Sequence, residues 1–392
     1  MKMMLDSVKV RSIDTSILSR GGRVLDVKVS SSASFLTPVR PVSTIELSSK
    51  SFLGYRGELK TPLAALPLNI NGETFEKFKR NNGTVKKLRQ ELEATATNTA
   101  FSVNFPILQI PEMSAADAQY EKIAFDLQMN TRGLDYFSMP VYKCGPSEYE
   151  AKVRDWCTSL VDEYRIGCVP QLRMDEDPVQ FEEKLKILAS FTRSGLINVI
   201  NVIFSNPEDN LNQYAALWRY RDELDAIINC SEVPKKGKDI VPGSVFQDYE
   251  TQIIQYGIDS ISRRKERVSP KFIAFRNFAP PPGSLRDVDP FYLAVHRASA
   301  TISGRAWQLS AHEEYCTCPV CKGRAKSDIF NTYAYKDNGE IEPSGLRYYS
   351  ILHDQQSDTM ELENVRQHIS SEDMRTYDTT IQENRKTLQS AL

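Results

Sequence analysis

No stretch of this chain comes near 18 uninterrupted apolar residues, so no transmembrane helix is expected. The opening Met1-Lys2-Met3-Met4-Leu5-Asp6-Ser7 has no apolar secretion signal, which predicts a cytoplasmic protein. Neither sign of charge is in excess: 49 Lys and Arg against 51 Asp and Glu leave a formal charge of −2. That balance excludes nucleic-acid binding by bulk charge and requires any such contact to use a local basic patch. Internal repeats and low-complexity tails are missing. So is a disulfide framework, because seven cysteines is an odd number and Cys144, Cys157, Cys168 and Cys230 are scattered. These four read as reduced thiols. With 392 residues, 41% of them apolar, the chain can bury a large core without cross-links.

What is present is an alternation of strand and helix signals that sets in near residue 134. Leu134 to Tyr142 is rich in β formers and precedes Ser147-Glu148-Tyr149-Glu150, which fits a capping box. Tyr149, Val153, Trp156 and Leu160 then recur at helical spacing. Cys168 to Met174 forms the next strand, followed by Asp177 as N-cap, Pro178 at the first helical position, and a stripe of Phe181, Leu185, Leu188 and Phe191. Ile197 to Phe204 leads to a helix carrying Tyr214, Leu217, Trp218 and Leu224. Ala226 to Val233 leads to a helix from about Ser244, carrying Tyr249, Ile253 and Tyr256 and closed by Gly257. Further strands are expected from Ile258 and over Lys271 to Phe275, and another helix at Asp289-Pro290.

Consecutive β/α units with short connections imply a parallel sheet. The chain length and the lack of a Gly-rich dinucleotide turn favour a (β/α)8 TIM barrel over an open sheet. We place this barrel at residues 1–305 and a C-terminal zinc-binding subdomain with terminal helices at 306–392. Within the less regular N-terminal part, strands are expected over Val24–Val29, Phe35–Val42 and Leu63–Ile70, and a helix over Phe75–Leu92.

Cys316-Thr317-Cys318-Pro319-Val320-Cys321 presents three thiolates from one tight turn. A histidine, either His353 or His312, would complete a tetrahedral Cys₃His site. Four protein ligands leave no open position, so the metal would be a structural zinc.

The cysteine cluster, then Tyr348-Tyr349-Ser350-Ile351-Leu352-His353-Asp354, then Glu363-Asn364-Val365-Arg366-Gln367-His368-Ile369, resembles the zinc subdomain of the tRNA-guanine transglycosylases. Phe35-Leu36-Thr37-Pro38-Val39-Arg40-Pro41-Val42-Ser43-Thr44 is similar to that family's N-terminal Thr-Pro-x-Phe-Met-Pro-Val-Gly-Thr strand. The resemblance implies the barrel, zinc on Cys316, Cys318, Cys321 and His353, and a homodimer. It also implies exchange of guanine for a 7-deazaguanine base through a covalent ribosyl intermediate on an Asp. Relatives act on tRNA or DNA, and a further group accompanies deazaguanine synthesis in bacterial antiphage operons of the cyclic-oligonucleotide type. A modified protein is a third conceivable target.

At the chemistry-bearing positions the chain departs from the family. Gly257-Ile258-Asp259-Ser260-Ile261-Ser262 matches the strand end that carries the nucleophile, with Asp259 on the first acid and Ser262 where the nucleophile would stand. The Asp-Ser-Gly-Gly-Phe-Gln segment has no counterpart between residues 61 and 115. Counting from Asp135, the base-recognising Asp is replaced by Val141. The Gly-Gly-Leu-Ala loop falls at Asn229-Cys230-Ser231-Glu232-Val233, without its glycines.

Asp259 is therefore the candidate catalytic acid or nucleophile, and Glu232 the candidate acceptor for an amidine-like purine edge. Arg263 and Arg264, with Lys235-Lys236-Gly237-Lys238, are candidate phosphate contacts at barrel strand ends. These features predict a transglycosylase-like protein with a remodelled site that acts on or binds guanine, a 7-deazaguanine, or a macromolecule carrying it. The alternative is a non-catalytic zinc-containing scaffold subunit.

Overall fold

A computed structural model describes residues 4–15, 21–30, 33–42, 62–69, 77, 82–98, 102–109, 118–162, 164–234, 249–263, 322–325, 328 and 343–379. It is a mixed α/β structure with parallel sheets. An antiparallel sheet comes first, with strands β1 (Leu5–Ile13), β2 (Arg23–Val29) and β3 (Ser34–Leu36) in that order. The parallel strands follow: β4 (Leu63–Asn69), β5 (Val103–Gln109), β6 (Tyr136–Ser138), β7 (Gly167–Val169), β8 (Gln171–Arg173), β9 (Val199–Ile203), β10 (Ile227–Val233) and β11 (Ser260–Arg263). Between and after them lie α1 (Asn82–Asn98), α2 (Ala118–Met129), α3 (Pro146–Cys157), α4 (Pro178–Arg193), α5 (Leu211–Tyr220), α6 (Tyr249–Ile254) and α7 (Pro343–Ser370).

Among the described residues, backbone pairing joins the parallel strands in three groups. β4 pairs with β5, β6 with β7, and β8, β9, β10 and β11 form a four-stranded run, all parallel. Pro170 separates β7 from β8 in one continuous stretch of chain. Asp135 N–H donates to the Asn104 carbonyl at 3.1 Å just before β6. Val39 bridges in parallel to Ser260, and Val42 to Ala64.

Side chains alternate between two apolar layers, as a two-sided parallel sheet requires. Leu63, Val103, Tyr136, Val199 and Ile227, each the first residue of its strand, share one cluster with Leu5, Val8, Leu25 and Val27. The β1–β2 hairpin therefore covers the N-terminal ends of the parallel strands on that face, which we call the inner face. Ile200, Val202, Ile228, Cys230 and Ile261 point the other way, into a cluster with Leu185, Leu188, Tyr214, Leu217 and Ile253 of the helices. Each fully buried Leu, Ile or Val there contributes roughly 1.5–3 kcal/mol.

The helix signals agree with the structure at α4. Asp177 Oδ1 accepts from the Val179 and Gln180 N–H groups at 3.1 Å each, and Pro178 opens the helix. Phe181, Leu185, Leu188 and Phe191 are buried as their spacing requires.

Several boundaries differ from the sequence reading. Ser147 does not cap α3, because the helix starts at Pro146 with Gly145 at the N-cap and no side-chain cap bond. A proline at the first helical position carries no N–H to be capped. The described N-terminal helix covers Asn82–Asn98 and continues past the expected end at Leu92, where Ala96 extends its buried face. Of residues 75–81 only Lys77 is described, and it is helical. Leu224 is buried but lies beyond the end of α5. The stretch Phe35–Val42 divides between β3, which pairs with β2, and bridges at Val39 and Val42. β1, β5 and α2 were not expected. The strand expected over Lys271–Phe275 and the helix at Asp289-Pro290 lie outside the described residues.

Helix α7 closes against the N-terminal part of the chain. Arg40 pairs with Asp358 in a buried contact, and Arg366 Nη1 donates to the Pro38 carbonyl at 2.7 Å. Gly22 lies against Ile369 so closely that a Cβ would come within 2.5 Å of its Cδ1 atom.

Candidate functional site

The strands from β8 to β11 carry polar residues within otherwise apolar segments. Register places them side by side: Gln171 opposite Asn201, Asn201 opposite Asn229, and Asn229 opposite Ser260. By alternation they share the inner face with Val199 and Ile227, one level toward the strand C-termini. All are buried.

Hydrogen bonds join them into a row. Gln171 Nε2 donates to the carbonyls of Leu108 (3.0 Å) and Met139 (2.6 Å). Gln171 Oε1 accepts from Asn201 Nδ2 at 2.9 Å, and the same nitrogen reaches Ser231 Oγ at 3.0 Å. Asn201 Oδ1 accepts from Asn229 Nδ2 at 2.7 Å. Asn229 Oδ1 accepts from the hydroxyls of Ser260 and Ser262, at 2.9 Å each.

Above this level the strands approach solvent. Arg173, Ile203 and Glu232 are half-buried near the C-terminal ends of β8, β9 and β10. Arg173 forms a two-point pair with Asp175 (2.8 and 2.6 Å), and its hydrogen bond holds the Asp175 carboxyl below its ordinary pKa. Glu232 adopts φ +61 at an irregularity in β10, between Cys230 and Val233. A left-handed backbone at a non-glycine residue is strained and turns the chain at the strand end.

Asp259 points away from this row. Its neighbours Ser260 and Ser262 face inward, whereas its carboxylate meets Arg23 with Nε–Oδ1 at 3.0 Å and Nη2–Oδ2 at 2.6 Å. Arg23 also donates to the carbonyls of Arg221, Leu224 (2.8 Å) and Ala226 (2.7 Å), which uses every N–H of its guanidinium. Ile228 N–H reaches Asp259 Oδ2 at 2.8 Å and the Thr37 hydroxyl reaches Oδ1 at 3.4 Å. Burial pushes the Asp259 carboxyl upward, opposed by Arg23, Ile228 and Thr37. The side chains of both pair members are 0% exposed.

Asp135 is buried as well, and its Oδ2 accepts from Asn104 N–H at 2.8 Å, beside β5. Val141 is buried beyond β6. Arg263 ends β11, paired with Val233. The Arg263 side chain lies outside the described residues, as do Arg264, Lys235-Lys236-Gly237-Lys238, Cys316, Cys318, Cys321 and His312. The His353 backbone falls within α7, with its side chain outside the description. Among the described residues no group of His, Cys, Asp and Glu could hold a metal ion, and no helix is long and apolar enough to cross a membrane.

Sequence reasoning missed Gln171, Asn201, Asn229 and Ser231 and read Ser262 only as a replaced nucleophile. Their signal was visible, since Val199-Ile200-Asn201-Val202-Ile203 and Ile227-Ile228-Asn229-Cys230 each place one amide at the third position of an apolar strand. A buried amide in such a strand needs partners, and the partners stand on neighbouring strands. Comparison with known protein families and with curated proteins gives no match for this chain.

Proposed function

We propose that the chain is a transglycosylase-like (β/α)8 barrel with a remodelled site, which binds guanine or a 7-deazaguanine, free or carried by tRNA, DNA or a protein. For the barrel, the support is the course of the pairings. Val42 bridges to β4, which pairs with β5, and the Asp135 N–H just before β6 donates to Asn104 of β5. β6 pairs with β7, and β8 to β11 pair in order. Val39 bridges to Ser260, its N–H donating to the Asp259 carbonyl at 2.8 Å.

The observation that carries the functional reading is the buried row from Gln171 to Ser262 beneath the strand C-termini, where barrel sites form. An array of amides and hydroxyls suits the polar edge of a neutral base, and it contains no carboxylate nucleophile. Asp259, held by Arg23 on the opposite face, favours base binding over exchange through this residue. Glu232, Arg263, Arg264 and the neighbouring lysines would border the base and the phosphates of a carrier. Zinc would be held by Cys316, Cys318, Cys321 and His353 as a structural ion, since this donor set leaves no open position. The role in antiphage defence and the homodimer come from the resemblance alone.

Calorimetry of zinc-replete protein with guanine and 7-cyano-7-deazaguanine tests the reading, with labelled base offered to tRNA and DNA in parallel. Saturable binding without incorporation is expected. Incorporation abolished by Asp259→Asn in a folded variant would return Asp259 to the role of nucleophile. No binding of either base would end the purine reading.

A further inference from the structure

The row from Gln171 to Ser262 has a direction that its surroundings impose. The carbonyls of Leu108 and Met139 can only accept, so Gln171 must turn its amide nitrogen to them and its oxygen to Asn201. Asn201 must then donate to Gln171 and present its own oxygen to Asn229. Asn229 must in turn present Oδ1 to the serines, and both hydroxyl protons are drawn onto that single oxygen. Two backbone carbonyls at one end thus decide what the other end can offer. The Ser260 and Ser262 oxygens keep only lone pairs for anything else. Ser260 is sealed at 0% exposure, while Ser262 retains 7% at the C-terminal end of β11. The polarity is cooperative, because reversing one member would set like groups face to face along the whole row.

We propose that Ser262 is a specificity-determining acceptor that selects a ligand with an N–H donor at this position, such as the N1–H of guanine, and rejects one that offers a lone pair there. This rests on the base-binding reading above. A site with an acceptor and no proton discriminates against analogues that lack the donor, because its oxygen is then left without a partner. The role is one of recognition, and no bond to Ser262 is made or broken.

The test is calorimetry of the full zinc-replete chain and of Ser262→Ala and Ser262→Thr with guanine and 1-methylguanine, the second lacking the N1 donor. Melting curves of each variant establish that it is folded. Wild type is expected to prefer guanine by about tenfold or more. Ser262→Ala should remove that preference and Ser262→Thr restore it. An equal effect of Ser262→Ala on both ligands, or no effect on either, overturns the proposal.

To separate this from failure of the purine reading, the Ser260 and Ser262 amide signals are followed by NMR on adding pyrrole, a donor only, or pyridine, an acceptor only. A response to pyrrole alone, even where guanine does not bind, supports the proposal and removes the purine. A response to pyridine, or to neither, overturns it.

Discussion

Arg23 and Asp259 are 236 residues apart in sequence and meet in a two-point ion pair from which solvent is excluded. The pair ties the start of β2 to the residue before β11, and the remaining N–H groups of Arg23 fix the carbonyls of Arg221, Leu224 and Ala226. A buried ion pair carries a large desolvation cost, so removing one partner is worse than never having had the pair. Arg23→Ala is expected to destabilise the fold by about 3–5 kcal/mol, read as a lower urea midpoint. Asp259→Asn should also lower the midpoint. Any activity lost with that substitution therefore has to be compared with the stability of the variant.

The amide row gives a second expectation. Asn201→Leu keeps the branching at Cγ, with bulkier methyl groups, but leaves Gln171 Oε1 without its donor and Asn229 Nδ2 without its acceptor. Each orphaned buried group costs about 1–3 kcal/mol. Chemical denaturation should show a loss in that range or above it, with the secondary structure retained in circular dichroism. A neutral result would mean that the row contributes nothing to stability.

Glu121 on α2 provides a pH dependence. Burial raises its pKa, but hydrogen bonds from Lys152, Tyr142 and Trp156 outweigh this and hold it below the ordinary value of 4.5. Lys152 Nζ lies 2.7 Å from Oε2 and Trp156 Nε1 2.9 Å from Oε1. A carboxyl whose pKa is depressed by folding stabilises the protein above its unfolded pKa and loses that contribution as pH falls through the folded value. Glu121→Gln should accordingly melt below wild type at neutral pH. The gap should close as the pH is lowered through 4.5 and beyond. A gap independent of pH would exclude the ionised pair as its source.

Metal analysis of the purified chain should find zinc bound tightly through dialysis. Cys318→Ser should abolish it. His353→Ala should weaken retention, whereas His312→Ala should not; the opposite order would reassign the fourth ligand. Chelation should lower the melting temperature of wild type, as expected when metal binding is part of folding free energy.

The parts of the fold legible in the sequence were those fixed by local chemistry. Asp177 and Pro178 announce the start of α4 because the cap and the missing proline N–H act within a few residues. The apolar runs of β9 and β10 announce strands buried on both faces. β5 was hidden by Pro106, which carries no N–H and argues against a strand interior, yet it stands in register with Leu66. β1 was hidden because only Leu5 and Val8 of its nine residues are fully buried. Gly167 had no visible reason until the Tyr136 ring was placed against it, where a Cβ would come within 2.1 Å.

By itself the sequence determined the parallel α/β class, the positions of its best-formed helices, and the chemical types available to a site. It could also present Asp259 as a candidate acid, because an aspartate at a strand end looks the same whether it faces a ligand or an arginine. Only the tertiary structure decided that Asp259 faces Arg23 and that Gln171, Asn201, Asn229, Ser260 and Ser262 form one directed row. The physical reason is register. Which face a strand residue occupies, and which residues stand level with it, depends on pairings between segments about 30 residues apart or more.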